Sequence, residues 1–361
     1  MTFRVVLWGT GNVGRPAIRA LAAHRVIDLV GVVVSSPDKI GRDAGELAGI
    51  DPIGVVASAD SAVAFADDVD AVVYTVNADF RPMETLAEVE ALLRAGKNVV
   101  STSFYPLLHP TSAPVELQQY LGAACEAGNS SIFVSGIDPG WALDILPLLL
   151  SGVSADIREI RAQEIFNYQL YDQPDAVRDL IGFGRPLSEE PPMLLDYSLQ
   201  MVWAPMIRIL ADGLGVTLDD VRTHVERRPL QRTIDVPGMG IFEQGTQGAF
   251  RFEVQGIVDG KPLLVMEHVT RIDDECATDW PLPESGQGVH RVVITGRPNL
   301  TVSIHGTETG ENGAAGGGNA TAANRIVNAL PAVCAAPPGL VHPLSLPVIT
   351  GAAQIHREHV D

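Results

Sequence analysis

The sequence predicts an α/β fold: an N-terminal doubly wound parallel sheet followed by an α+β second domain with a mostly antiparallel sheet. Three observations carry the prediction. A short apolar run near the N-terminus leads through spaced glycines into a helical pattern. Strand-like and helix-like stretches then alternate as far as Val134, the order of a parallel sheet built from crossovers. From Ile157 the pattern changes to a series of strand-like stretches with one long helix, the order of an α+β unit. The 361 residues suffice for two sizeable cores, and a hydrophobic content of 46% excludes a disordered chain.

The opening stretch organises the rest. Val5 to Trp8 reads as a strand buried on both faces, and Ile18, Leu21 and Ala22 recur at helical spacing. Between them Gly9, Thr10, Gly11, Asn12, Val13 and Gly14 spell G-x-G-x-x-G. The first glycine permits the tight turn, the second lets a pyrophosphate approach the backbone, and the third lets helix and strand pack closely. The helix start adds N–H donors and a positive dipole end. This strand–loop–helix context predicts a Rossmann dinucleotide-binding domain over residues 1–137.

Asp28 to Val34 reads as the second strand. An NAD enzyme ordinarily places an acidic residue at this strand end to hold the ribose 2′-hydroxyl. Here Ser35 and Ser36 stand there, with Lys39 and Arg42 close by, leaving room and charge for a 2′-phosphate. NADP is therefore the expected preference, with NAD as the alternative; an ordinary polar turn explains the same residues. Asp70 to Thr75 is a further strand, ending at Thr75 and Asn77. Pro82 to Gly96 reads as a helix closed by Gly96. Asn98 to Ser101 is a strand ending in Ser101 and Thr102. Val115 to Ala127 reads as a helix stopped by Gly128, and Ser131 to Val134 as a strand. Ligands bind at strand carboxyl ends in such sheets, which places Thr75, Asn77, Ser101 and Thr102 beside the cofactor.

In S-G-I-D-P-G-W-A-L-D-I-L-P, residues 135 to 147, Asp138 is expected to cap a helix starting at Pro139 whose N-terminus points to the side of the glycine loop, which makes Asp138 a cofactor-binding candidate, with Trp141 as a wall of the site. Beyond it, Arg158 to Tyr168, Arg227 to Val236, Ala249 to Val258, Pro262 to Ile272 and Val289 to Thr295 read as strands. Leu194 to Leu214 reads as a helix, Gly310 to Asn319 as a loop, and Ala320 to Ala332 as a helix.

Composition narrows the function classes. The formal charge of −19 disfavours nucleic acid and anionic membranes as partners. No apolar run reaches the ~18 residues of a membrane span. No basic segment precedes an apolar core and cleavage site, so a cytoplasmic protein is expected. Cys125, Cys276 and Cys334 show no metal spacing, and reduced structural thiols are expected.

The G-T-G-N-V-G start, the residue 135–147 segment and the late T-A-A-N-R-I-V-N-A-L-P-A-V-C-A-A-P-P-G-L resemble the dihydrodipicolinate reductase-like oxidoreductases. Within them they resemble the 2,4-diaminopentanoate dehydrogenase and native amine dehydrogenase branch. The resemblance implies hydride transfer between a nicotinamide and a C=O or C=N carbon of a small substrate. It implies a substrate and dimerisation domain over 138–319, a homodimer, and a segment 320–361 whose helix returns to the first domain. The family usually has N-P-G where this chain has Asp138-Pro139-Gly140. Amine-forming members carry a Glu shortly after the strand matching Asn98 to Ser101; here Phe104 stands in its place. The departure predicts carbonyl or preformed imine reduction in preference to amination with ammonium, and keeps a non-catalytic NADP-binding regulator open as an alternative.

Five further residues are candidates for the site. Tyr105 and His109 follow the strand end where the nicotinamide is expected, and either type can protonate a developing alkoxide or amide nitrogen. A wall residue and a loop residue are the plainer readings. On Arg158 to Tyr168, alternation puts Glu164 and Tyr168 on one face and Asn167 on the other. Asn167 and Tyr168, with Phe104, are candidates to line the substrate site, and Glu164 to supply the missing carboxylate; a plain sheet-face role is the alternative.

Overall fold

The computed structural model describes residues 2–171, 173–309 and 313–355, the side chain of Ala314 excepted. The chain forms two compact units: Met1–Gly136 with Asn319–Asp361, and Ile137–Gly318.

The first unit contains strands β1 (Phe3–Trp8), β2 (Ile27–Val33), β3 (Ala57–Ser58), β4 (Ala71–Tyr74), β5 (Asn98–Ser101) and β6 (Ser131–Val134). Its helices are α1 (Gly14–Ala23), α2 (Ala44–Leu47), α3 (Pro82–Arg94) and α4 (Val115–Gly128). The second unit contains α5 (Ile145–Ser151), β7 (Ala155–Asn167), α6 (Asp196–Leu214), β8 (Asp220–Pro229), β9 (Ile234–Val236), β10 (Gly240–Phe242), β11 (Gln247–Val258), β12 (Lys261–Arg271), β13 (Gly288–Arg297) and β14 (Leu300–Ile304). Helix α7 (Gly313–Cys334) leads back into the first unit, followed there by β15 (Gly339–Leu340).

The first sheet has the order β15-β6-β5-β4-β1-β2-β3 and is parallel throughout. Period-two alternation sorts its side chains into two layers. Val5, Leu7, Ala71 and Val73 face a layer shared with Ile18 and Leu21 of α1. Val6, Val72 and Val99 face the other, shared with Val89, Leu92 and Leu121 of α3 and α4. Both faces are therefore apolar, which is why these strands read as unbroken apolar runs. Helix α7 completes the first layer through Ala323, Ile326, Val327, Leu330 and Val333. The expected return of the late helix is thus a matter of core burial.

The second unit has a six-stranded sheet, order β14-β13-β7-β12-β11-β8, antiparallel except where β7 pairs with β12, and a separate β10-β9 pair. Helix α6 covers one face, its Trp203, Ile207 and Leu210 packing with Ile160, Ala162, Phe250, Phe252, Leu264 and Met266. The other face carries a small apolar cluster of Ile165, Ala249, Val269 and Val289 beside a network of charges. There Arg161 pairs with Glu253 at 2.6 Å and Glu267 at 2.7 Å, and Arg251 pairs with Glu267 at 2.6 Å.

Several boundaries differ from expectation. Asp138 does not cap a helix at Pro139. Its carboxylate is taken by the Trp203 indole, the intervening residues form turns, and Asp144 caps the helix that starts at Ile145. The expected strand Arg227–Val236 is broken after Pro229, which lacks the N–H to continue a ladder. The left-handed turn after α4 is made by Asn129 rather than Gly128. Of the loop expected over residues 310–319, residues 310–312 lie outside the described residues and the remainder is the first turns of α7, so helical hydrogen bonding prevails over the glycine content there.

Because Ile326 is fully buried, Ile326→Ala should lower unfolding free energy by about 2–5 kcal/mol, a cavity cost. Urea denaturation of the intact chain tests this; an unchanged midpoint would place α7 outside the core.

Candidate functional site

The glycine loop is built from below by Thr75. Its hydroxyl donates to the Gly9 carbonyl at 2.9 Å. Gly9 has φ +104°, and a Cβ there would lie 3.1 Å from Thr75 backbone and side chain. A Cβ on Gly14 would lie 2.2 Å from the Gly9 carbonyl oxygen. Both glycines are thus required by the loop's own packing. Gly11 is different: a Cβ there meets nothing within 4 Å. The open concavity at Gly11, at the start of a helix without a side-chain cap, fits a pyrophosphate held by backbone N–H groups.

The other candidates of this unit fall around the same edge. Ser35, Ser36, Lys39 and Arg42 follow β2, and the Lys39 ammonium donates to the Thr10 carbonyl at 3.1 Å, tying the turn to the loop. Asn77 turns back to accept the Asp79 amide at 2.8 Å. The Ser101 hydroxyl is buried and donates to the Tyr74 carbonyl at 2.8 Å, while Thr102 is half-buried. Phe104, in the left-handed region at φ 68°, stacks on Tyr74 with ring centroids 6.2 Å apart. The Tyr105 hydroxyl donates to Asp79 Oδ2 at 3.4 Å. Asp79 is therefore an acid at the strand ends that sequence reasoning missed, hidden because its partner lies on a different βα loop. His109 is brought elsewhere: it is buried, its Nδ1 lies 2.7 Å from Ser112 Oγ, and its ring meets that of His342.

In the second unit, Glu164 lies on the helix-covered face of β7, in the row of Ile160 and Ala162. Its register partners are His268 on β12 and His290 on β13. The three form one rung of the sheet, and all are buried, with exposures of 7%, 5% and 6%. His268 Nε2 lies 3.0 Å from Glu164 Oε1, and His290 Nε2 lies 3.2 Å from Oε2. The Tyr168 hydroxyl donates to Oε1 at 3.0 Å, joining two predicted residues through the turn that ends β7. Asn167 points away, donating to Asp274 at 2.8 Å. Trp141 is half-buried.

Asp138 closes the group. The Trp203 indole N–H donates to its Oδ1 at 2.8 Å. Its Oδ2 is buried without a hydrogen-bond partner and stands 3.6 Å from His268 Nε2. Aromatic rings wall the cluster: Phe252, Phe250 and Trp203 lie 5.0, 5.7 and 5.8 Å from the His268 ring. His268 Nδ1 is 2.7 Å from Thr270 Oγ1, which leaves Nε2 to face the two carboxylates. His268 and His290 escaped sequence reading as site residues, and Asp138, expected beside the cofactor, is here joined to the group of Glu164.

The two carboxyls are driven apart. Burial alone would raise Glu164, but the charge of His268 and hydrogen bonds from His268 and His290 prevail and hold it well below the ordinary range. Burial and the Glu164 charge push Asp138 up to about 7, against the pull of both histidines and the Trp203 hydrogen bond. Burial opposes charge on His268, yet Glu164 and Asp138 raise it overall. Burial and the Glu164 charge hold the Tyr168 hydroxyl well above its ordinary value, keeping it a donor. One carboxyl that keeps its charge beside one that titrates near neutrality is a division suited to acid–base chemistry.

A parallel sheet with this glycine loop, joined to a unit with a buried acid–base cluster, defines an NAD(P)-dependent oxidoreductase. Residues 3–104 match the family model for the dihydrodipicolinate reductase N-terminus, and residues 141–361 match that for the 2,4-diaminopentanoate dehydrogenase C-terminal domain. The chain belongs to the 2,4-diaminopentanoate dehydrogenase family. It is 50% identical to an amine dehydrogenase of Streptomyces virginiae over 355 residues, 98% of each chain. It is 23% identical to the 2,4-diaminopentanoate dehydrogenase of Acetoanaerobium sticklandii, over 96% of this chain and 93% of that one. The structure of an amine dehydrogenase from Mycobacterium smegmatis superposes with a TM-score of 0.73, at 22% identity over 98% and 99% of the two chains.

Two predictions follow from this geometry. Gly11→Val should fold with an unchanged melting temperature and lose NADPH binding, whereas Gly14→Val should lose stability as well; fluorescence titration and thermal melts separate the two, and retained NADPH affinity in Gly11→Val would place the pyrophosphate elsewhere. The second concerns acid. Glu164 has a lower pKa folded than unfolded, so its contribution is full above its ordinary value of 4.5 and is lost as pH falls. Between about pH 5 and pH 3 the melting temperature should fall more steeply in the wild type than in Glu164→Gln; parallel slopes would mean that Glu164 is not ionised.

Proposed function

We propose that the protein is an amine dehydrogenase: an NADP(H)-preferring oxidoreductase that interconverts a small primary amine with its carbonyl compound and ammonium, using Glu164 as its carboxylate. The buried rung of Glu164 with His268 and His290 is the observation that carries this reading. The 50% identical relative named amine dehydrogenase supports the reaction class. The first unit is the dinucleotide-binding unit, the second the substrate and dimerisation unit, and the working form is a cytoplasmic homodimer.

The nicotinamide, when bound, supplies or takes the hydride at the reacting carbon. Gly9 to Gly14 hold the pyrophosphate, and Ser35, Ser36, Lys39 and Arg42 receive the 2′-phosphate. Thr75, Asn77, Ser101 and Thr102 shape the strand-end edge. On the substrate side, Glu164 stays ionised and stabilises the cationic iminium that precedes hydride transfer. Tyr168 and the two imidazoles orient it. Within the second unit, Trp141 and Tyr168 exclude water and hold the apolar part of the substrate; Phe104 is the first unit's candidate for substrate contact. This reading departs from a preference for carbonyl or preformed imine reduction: the acid absent at Phe104 is supplied from β7. Tyr105 with Asp79 forms a second donor–acceptor pair, at the strand ends, and its hydrogen bond favours it as an alternative proton source.

Mixing NADPH with a ketone panel, with and without ammonium, should give amine in the ammonium arm, and Glu164→Gln should lower kcat by about 10²-fold or more. Alcohol as the sole product would overturn the assignment, and cofactor binding without turnover would point to a regulator. A loss in Asp79→Asn with Glu164→Gln unaffected would move the acid to the first unit. NADPH should bind about tenfold more tightly than NADH at low salt and lose that advantage as salt rises; equal affinities would remove the 2′-phosphate assignment.

A further inference from the structure

We propose that Asp138 is the ammonia-handling residue: its buried Oδ2 binds the ammonium ion beside Glu164, takes its proton, and later returns that proton to the departing hydroxyl. The inference rests on the amine-dehydrogenase reading and assigns a part of the reaction that Glu164 does not perform.

Four features carry it. Asp138 Oδ2 is a fully buried carboxyl oxygen with no hydrogen-bond partner among the described residues, although its sister Oδ1 is held by Trp203. An orphaned buried acceptor of this kind carries a desolvation penalty unless a donor fills the place. It faces the same ground as Glu164, and His268 Nε2 stands 3.6 Å from one carboxylate and 3.0 Å from the other. The aromatic walls of Trp203, Phe250 and Phe252 suit a small cation. Finally, Asp138 titrates near neutrality while Glu164 does not, so one of the pair can exchange protons and the other keeps its charge. The groups facing Asp138 that set this are Glu164 and Tyr168 on β7 and its following turn, His268 on β12, His290 on β13, and the neutral Trp203 indole on α6.

The steps balance. The Asp138 carboxylate takes a proton from ammonium, giving ammonia and the carboxylic acid. The ammonia nitrogen bonds to the carbonyl carbon as the C=O π bond breaks, and a proton passes from nitrogen to oxygen, giving a neutral carbinolamine. The C–O bond then breaks, the nitrogen lone pair forms the C=N bond, and the leaving hydroxyl takes the Asp138 proton and departs as water. Asp138 is again a carboxylate, and the product is the iminium that the hydride-transfer step consumes. A preformed imine enters after the Asp138 steps.

The test compares wild type and Asp138→Asn, as full chains, on two substrates. One is a ketone from the panel with ammonium chloride; the other is 1-pyrroline, a preformed cyclic imine. Asp138→Asn should raise the KM for ammonium by ~10–100-fold and lower kcat with the ketone, matching loss of a charge-assisted contact. Its loss with ketone and ammonium should exceed its loss on 1-pyrroline by about tenfold or more. Equal losses on both substrates, or no loss on either, would overturn the proposal. If wild type fails on both substrates, the amine-dehydrogenase reading itself falls. A second measurement needs no turnover. In histidine-labelled protein, ammonium chloride, but not tetramethylammonium chloride, should shift the His268 resonance, and Asp138→Asn should abolish the shift. No shift in the wild type would overturn the proposal. Trp203→Phe, which frees Asp138 Oδ1, should raise the ammonium KM in the same direction if Asp138→Asn fails to fold; an unchanged value would count against the assignment.

Discussion

A carboxylate on the apolar face of a sheet is the constraint on which the second unit depends. Glu164 stands in the row that otherwise carries Ile160 and Ala162, where an isolated charge is strongly disfavoured. It is tolerated because three donors converge on it from β12, β13 and the turn after β7. That convergence demands exact register. A one-residue slip of β12 would carry His268 to the opposite face and bring Glu267 or Val269 inward. The polar network of Arg161, Arg251, Glu253 and Glu267 on the other face would be broken by the same slip. Two buried polar constellations, one on each face, thus specify one alignment of the central strands.

The first unit solves a different problem. Its sheet is apolar on both faces, so its stability comes from burial, and its function must come from the edge where strands end. Thr75 is pivotal there, since a single hydroxyl from β4's end supports the Gly9 carbonyl. The loop is closed and packed at Gly9 and Gly14 but open at Gly11, so the scaffold's own demand falls on two glycines of the motif and not on the third. The C-terminal helix belongs to this unit by burial, even though most of the chain separates it from α1 in sequence.

The chemistry gains from separating carboxyls by environment rather than by distance. Glu164 has the charge of His268 beside it and hydrogen bonds from both imidazoles, and remains charged. Asp138 has a neutral indole on one oxygen and no hydrogen bond on the other among the described residues, and burial with the charge of Glu164 raises it. Reductive amination requires both a lasting negative charge for a cationic intermediate and a group that gains and loses a proton near neutral pH. Phe104 carries no carboxyl and is stacked on Tyr74.

The sequence alone determined the fold class, the glycine loop, the succession of strands and helices in the first unit, and the shared face of Glu164 and Tyr168, because these rest on local periodicity and turn chemistry. It misplaced the role of Asp138, since D-P-G-W has the local look of a helix start and nothing nearby reveals that Trp203, 65 residues away, takes the carboxylate. It was silent on His268 and His290, which sit in ordinary strand sequence and become partners of Glu164 only through pairing across more than a hundred residues. Long-range register and burial, which no local pattern encodes, decided that two acids and two imidazoles meet, and hence which carboxyl keeps its charge and which can carry a proton.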